Sequence, residues 1–234
     1  MSKIDKSQME QVELGGEDRE TESMVKKSKK KKKASIGCFV IFLIIIILIF
    51  GFSAWTLAAS GMVNVPGFSS LAFKSPEPTR IVVPGTLLEK EIEAAVNANL
   101  FSKKVSIDLS EESITASLQK GLKDFEQDFI ISENAQIVVT NEGLELFLPI
   151  ANSKQDSAVV ARLFIYPTDG VFAVEIKEVR FGSLRIPKII IDKSITPLLQ
   201  KGVDSLNEAF AKTAEVESVT FSNGFVTLSG QLKL

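Results

Sequence analysis

From Ile36 to Leu57 the chain reads IGCFVIFLIIIILIFGFSAWTL, with no charged residue. A bilayer core of about 30 Å is crossed by about 20 apolar residues at 1.5 Å each. A lone segment in lipid must satisfy its own backbone, which leaves the helix as its form. Residues 34–59 are therefore expected to be a transmembrane helix, with Trp55 at the headgroup level of its far end. A cleaved signal peptide is the alternative. The apolar run is longer than a typical signal core, and Leu57 occupies a cleavage position that should be small.

Charge is distributed to match. Residues 1–33 carry ten bases and seven acids, and the bases crowd against the apolar run as Lys26, Lys27 and Lys29 to Lys33. Basic flanks stay cytoplasmic, so the expected topology has the N-terminus inside, one span in the cytoplasmic membrane, and the rest outside. The tail is polar and without apolar period, and it is read as disordered. Of the chain's 27 bases and 29 acids, 17 and 22 lie beyond the tail, a net of −5. That balance argues against nucleic acid as a partner.

Residues 60–79, rich in Gly, Pro and Ser, read as a stalk, and Val65 to Phe73 is apolar enough to lie along the outer leaflet. Residues 80–234 read as one extracytoplasmic domain. Arg80-Ile81-Val82-Val83 suggests a short strand. Thr86 to Glu89 has capping-box spacing before the stripe Leu88, Ile92, Ala95 and Val96. Val105, Ile107 and Leu109 alternate as a strand. Ser110 then caps a helix with stripe Ile114, Leu118, Leu122 and Phe125. Alternating runs follow, broken at Asn141-Glu142-Gly143 and Asp169-Gly170, and predict an antiparallel meander of at least four strands. Thr196-Pro197 predicts the start of a helix bearing Leu199, Val203, Leu206 and Phe210. Asn223-Gly224 predicts a closing hairpin with a type I′ turn. Helices and strands are segregated, so the class is α+β: one N-terminal transmembrane helix, then a curved antiparallel sheet packed on two or three helices.

The chain has no histidine and one cysteine, Cys38. This removes Ser-His and Cys-His pairs, intrachain disulfides and thiolate zinc sites. Carboxylate pairs such as Glu175 with Glu178, or Asp124 with Asp128, read as solvated surface. Glu111 and Glu112 suit the first turn of a helix. No catalytic, metal or cofactor site is expected, and the chain is not read as an enzyme.

Three stretches carry a resemblance: Arg80-Ile81-Val82-Val83 leading into a helix, Glu178 to Pro187 (EVRFGSLRIP), and Val219 to Leu228 (VTFSNGFVTL). With the single span, this layout resembles the YpmS-like family of bacterial membrane proteins. The long lysine-rich tail and the strand-helix unit near Ser110 depart from that family's pattern. The resemblance implies a distant kinship with tubular lipid-binding (TULIP-like) proteins, in which a curved sheet wraps a helix and leaves a groove for acyl chains. On that reading Phe129, Phe147, Phe164 and Phe172, with Leu199, Val203, Leu206 and Phe210, line an apolar groove; the alternative is a closed core. Phe147 and Phe164 alternate out of step with neighbouring leucines, which aims them at the other face of the sheet. Arg180 and Arg185 are expected to meet a lipid phosphate, the alternative being an exposed strand end. Two functions stay open: a membrane-tethered binding module for lipid or another apolar envelope molecule, or a scaffolding subunit that works through envelope proteins.

Overall fold

The structure, a computed structural model, describes residues 17–98, 104–124, 129–197, 200, 203, 204, 207 and 214–232. The chain forms two compact units, residues 1–53 and 54–234. Helix α1, Glu17–Ser60, contains Phe39–Ser60, the one stretch among the described residues long and apolar enough to cross a membrane. The helix begins well before the apolar run and takes in the lysines that had been assigned to a disordered tail. Lysine is a good helix former.

The class is α+β, and the strands are antiparallel throughout, but they form two sheets. After α1 come α2 (Ser69–Ala72), α3 (Leu88–Ala98), β1 (Lys104–Ser110) and α4 (Glu111–Asp124). The meander is β2 (Gln136–Thr140), β3 (Gly143–Pro149), β4 (Ala158–Thr168), β5 (Val171–Phe181) and β6 (Leu184–Arg185), paired in that order. The closing hairpin, β7 (Ala214–Ser222) and β8 (Phe225–Leu232), does not extend the meander. It takes β1 as its neighbour in a separate sheet ordered β1-β8-β7.

Both sheets and both helices meet in one core. Val105, Ile107 and Leu109 of β1, with Val226, lie against Val139 and Leu144, and Leu88, Ile92 and Ile114 cover them. Burying each such side chain stabilises the fold by roughly 1.5–3 kcal/mol at most. A second cluster sits elsewhere on the meander, where Ile191 and Ile195 cover Ala161, Ile176 and Val179.

Helix α4 also shields the edge strand β2. Glu111, Thr115 and Gln119 recur every fourth residue, about 6 Å of helix rise. Their targets are spaced every second strand residue, about 6.7 Å. Glu111 accepts the Val139 N–H, Thr115 Oγ1 bonds both main-chain groups of Ile137, and Gln119 donates to the Ala135 carbonyl. A sheet edge that would otherwise recruit another chain is thereby closed by side chains.

Local expectations were met unevenly. Ser110 Oγ accepts the Ser113 N–H and caps α4. The Leu88 N–H that opens α3 is taken by Ser117 Oγ of the neighbouring helix. The 80–83 segment is not a strand; the Gln136 side chain accepts the Val82 N–H and donates to the Arg80 carbonyl. Thr196-Pro197 does not start a helix. The helical segment opens at Lys188, and a π turn, Ile191–Ile195, precedes the proline. The Thr196 N–H reaches back five residues to the Ile191 carbonyl, a widened turn suited to a proline that lacks an N–H. At the closing hairpin only Gly224 has positive φ (94°), so the turn is not type I′; that backbone appears at Asp169-Gly170 (52° and 80°).

One network joins these parts. Arg80 forms a two-pronged ion pair with Glu111, and also donates to the Val139 carbonyl (2.6 Å) and to Asn223 Oδ1. The Gly224 N–H donates to the same Val139 carbonyl, and the Glu111 N–H to the Gly224 carbonyl. The Glu111 side chain is 9% exposed. Replacing Arg80 by Ala leaves that carboxylate short of its partner, and a loss of about 3 kcal/mol is expected. An unchanged melting temperature of the full chain in detergent would refute this.

The end of α1 is fastened to its own unit. Ala58, Ala59 and Ser60 are buried. The last carbonyls of a helix lack intrahelical partners, and here the Ser183 N–H donates to Ala59 O (2.9 Å) and Ser157 Oγ to Ser60 O. Gly182, at φ 59°, makes the approach possible: a Cβ there would lie 2.6 Å from Ser60 O. Gly182→Ala is expected to break this junction and speed tryptic cleavage at Lys74, which is tied to Ser183 through hydrogen bonds from both sides. Cleavage at the wild-type rate would show that the junction does not depend on close approach.

Candidate functional site

The register of the meander builds a charged row. Glu145 on β3 faces Arg162 on β4, which faces Glu178 on β5; Val160 faces Arg180, which faces Arg185 on β6. Side chains alternate across a strand, so these groups share the face opposite Leu146, Ala161 and Val179. A bulge on β5 beside Arg162 and Leu163 leaves Lys177 as an extra residue, and its ammonium lies 4.7 Å from the centre of the Phe164 ring.

Residues 74–79 cross this face as a strap. Glu145 holds it, accepting the Thr79 N–H (2.7 Å) and hydroxyl (2.9 Å), while Lys74 is held by Ser183. The stretch read as a stalk is thus bonded to the domain at both ends of the strap. Between strap and sheet lies a pocket of about 450 Å³. Its basic lining residues are Lys74, Arg162, Arg180 and Arg185, and its acids are Glu77, Glu145 and Glu178, a net of +1 within an acidic domain. A second pocket, of about 320 Å³, shares Thr79, Glu145 and Arg162 as a common wall and adds Lys177.

Glu178 organises the arginines. Its Oε1 accepts from Arg180 Nε (2.7 Å) and its Oε2 from Arg180 Nη2 (3.2 Å), and Arg185 Nε forms an ion pair with Oε1 at 2.9 Å. The Arg180 hydrogen bond, aided by the charges of Arg180, Arg185 and Arg162, holds the Glu178 carboxyl below its ordinary range against the opposing effect of burial. The same hydrogen bond raises Arg180. Each guanidinium carries five N–H donors. Arg180 uses two on Glu178, while Arg185 is ion-paired to Glu178 at 2.9 Å and Arg162 Nε stands 3.7 Å from Glu145. Arg162 and Arg185 side chains remain 53% and 75% exposed. This arrangement offers several oriented donors to a phosphate or carboxylate, a geometry that the guanidinium fork suits.

Of the residues expected at a site, Arg180 and Arg185 come together here. Arg162 and Lys74 join them unannounced, and Glu178, expected as solvated surface, is instead largely covered and bound to Arg180; alternation along β4 places Arg162 opposite the leucines, but only register sets it beside Glu178. The aromatic residues expected to line a groove are dispersed. Phe129 is exposed, Phe147 is half-buried beside Val160, Phe164 packs on Tyr166 and Phe221, and Phe172 is buried. Neither pocket includes any of them. On the helical side, Val203 is half-buried, and Leu199, Leu206 and Phe210 lie outside the described residues. Asn207 binds both main-chain groups of Phe172, which brings that segment to β5. Among the described residues no group of three or more metal-ligating side chains occurs.

A carboxylate depressed in the folded chain stabilises it fully above the unfolded pKa of about 4.3 and ceases to do so as pH falls through the folded value. The melting temperature of wild type over Glu178→Gln is expected to be constant from pH 7 to about 5 and to shrink below about pH 4. A difference that persists unchanged at pH 2 would contradict this. The chain matches no protein-family model and no curated protein.

Proposed function

We propose that this chain is a single-pass protein of the cytoplasmic membrane, with its tail inside and its α+β domain outside. We propose further that the domain binds an anionic lipid, taking the headgroup in the pocket of Arg162, Arg180 and Arg185. The lysines before the span support the orientation. The resemblance to YpmS-like proteins points to the same ligand class.

The observation that carries the reading is the shared use of Gly182 and Ser183. They line the pocket, and they also receive the end of the membrane helix. Ala59 lies about 6 Å of helix rise beyond Trp55, and the headgroup layer is about 5–7 Å thick on each side. With Trp55 at the interface, the pocket stands at phosphate depth. Its lining is polar and charged, so it suits the headgroup, and the acyl chains stay in the bilayer.

The test uses the full chain in detergent with short-chain phosphatidylglycerol and phosphatidylcholine. Losing one charge-assisted hydrogen bond costs about 1.5–3 kcal/mol, so Arg162→Ala and Arg185→Ala are each expected to weaken phosphatidylglycerol binding tenfold or more and to leave phosphatidylcholine unchanged. Equal binding of both lipids by wild type, or indifference to both substitutions, would sink the proposal.

A scaffolding role draws on a different feature, the outward Ile81 and Val83 beside buried Val82 on a segment outside either sheet. Crosslinking from position 83 in whole cells distinguishes it, since that reading requires one enriched envelope protein.

A further inference from the structure

After Lys33 the next charge is Lys74, so the chain stays uncharged for the whole span and for the residues that follow it. Those residues form a closed loop. Gly61 leaves the helix at φ 73°, and the Phe73 ring returns to lie on it, so near that a Cβ on Gly61 would sit 2.2 Å from the ring. Between these ends several main-chain groups bond within the loop. Ser69 is buried, its Oγ accepts the Val65 N–H (2.8 Å), and its own N–H donates to Val65 O (2.9 Å). The Ala72 and Phe73 N–H groups donate to Phe68 O and Ser69 O. Outward from this frame stand Val63, Phe68 and Leu71, at 47%, 40% and 78% exposure.

Scattered apolar side chains on a surface are ordinary. These three share one uncharged loop whose backbone is in part self-bonded, which lowers the cost of a water-poor environment. The loop also continues directly from the span. Ser60 lies about 7.5 Å of helix rise beyond Trp55, so a chain whose Trp55 sits at the interface starts this loop at about the outer edge of the headgroup layer. We infer that the 61–73 loop is a second membrane contact, dipping Val63, Phe68 and Leu71 into the outer half of the bilayer beside the helix it follows. The occupant of this surface is lipid. Because the loop leads directly into the strap at Lys74, its insertion sets the depth of the arginine pocket.

The inference rests on the span crossing a membrane but not on the pocket binding a ligand. The test uses the full chain in phosphatidylglycerol–phosphatidylcholine vesicles. Trp55, the sole tryptophan, is replaced by Phe, and a reporter is introduced as Leu71→Trp. Phe225→Trp, at the exposed β7–β8 turn, serves as the water-facing control. Lipids brominated high on the acyl chain are expected to remove most of the Leu71→Trp emission, to shield it from acrylamide, and to spare the control. Emission that is open to acrylamide and indifferent to brominated lipid, while Trp55 of the parent chain is quenched, overturns the loop contact alone. Indifference of Trp55 as well overturns the span and the loop together. Phe68→Trp, an aromatic exchange, gives the same readout should Leu71→Trp fail to fold.

Discussion

The fold turns on the ion pair of Arg80 with Glu111. Four separate segments end at that point: the strap, the start of α4, strand β2 and the turn of the closing hairpin. Removing two charges from water is costly, and the cost is recovered only where every remaining hydrogen-bonding site is also used. Glu111 accepts from Arg80 and from Val139; Arg80 donates to Glu111, Val139 and Asn223. No buried side-chain polar atom lacks a partner among the described residues. The strap therefore enters the domain at a defined place, and the roof of the arginine pocket follows from that.

At the far end of the strap, small residues do comparable work. Ala58, Ala59 and Gly182 allow helix end and strand turn to approach until main-chain groups bond directly. Helix α1 thus ends on the turn that borders the pocket. The end of α1, the loop, the strap and the pocket form one continuous path through the chain, held at Ser183, Glu145 and Glu111.

Glu178 pairs with two of the arginines without consuming all their donors. Like charges on adjacent strands repel, and an interposed carboxylate offsets that repulsion while leaving the remaining N–H groups aimed by the planar guanidinium frame.

Much was legible in the residues themselves. The uncharged apolar run, the cap at Ser110 and the alternating strands depend on neighbours within a few positions, where period and propensity act; of the stripe expected on α4, Ile114 reaches the core and Phe125 lies outside the described residues. Val105, Ile107 and Leu109 declared a buried face on β1, and the meander's order followed from its turns. Other features needed the tertiary structure, because they depend on which strand lies beside which. Nothing local in β7 and β8 chooses β1 over the meander. Nothing local in Glu111, Thr115 and Gln119 shows that they serve an edge strand rather than water or a helix dipole. The pocket is of the same kind: Arg162, Glu178 and Arg185 are far enough apart in sequence that only cross-strand register brings them together, and a one-residue slip would have turned them to the opposite face. Sequence alone determined that this chain has a membrane-type helix and an α+β domain, since hydrophobic period is a local property; the tertiary structure decided where the charges meet, since register and close packing are not.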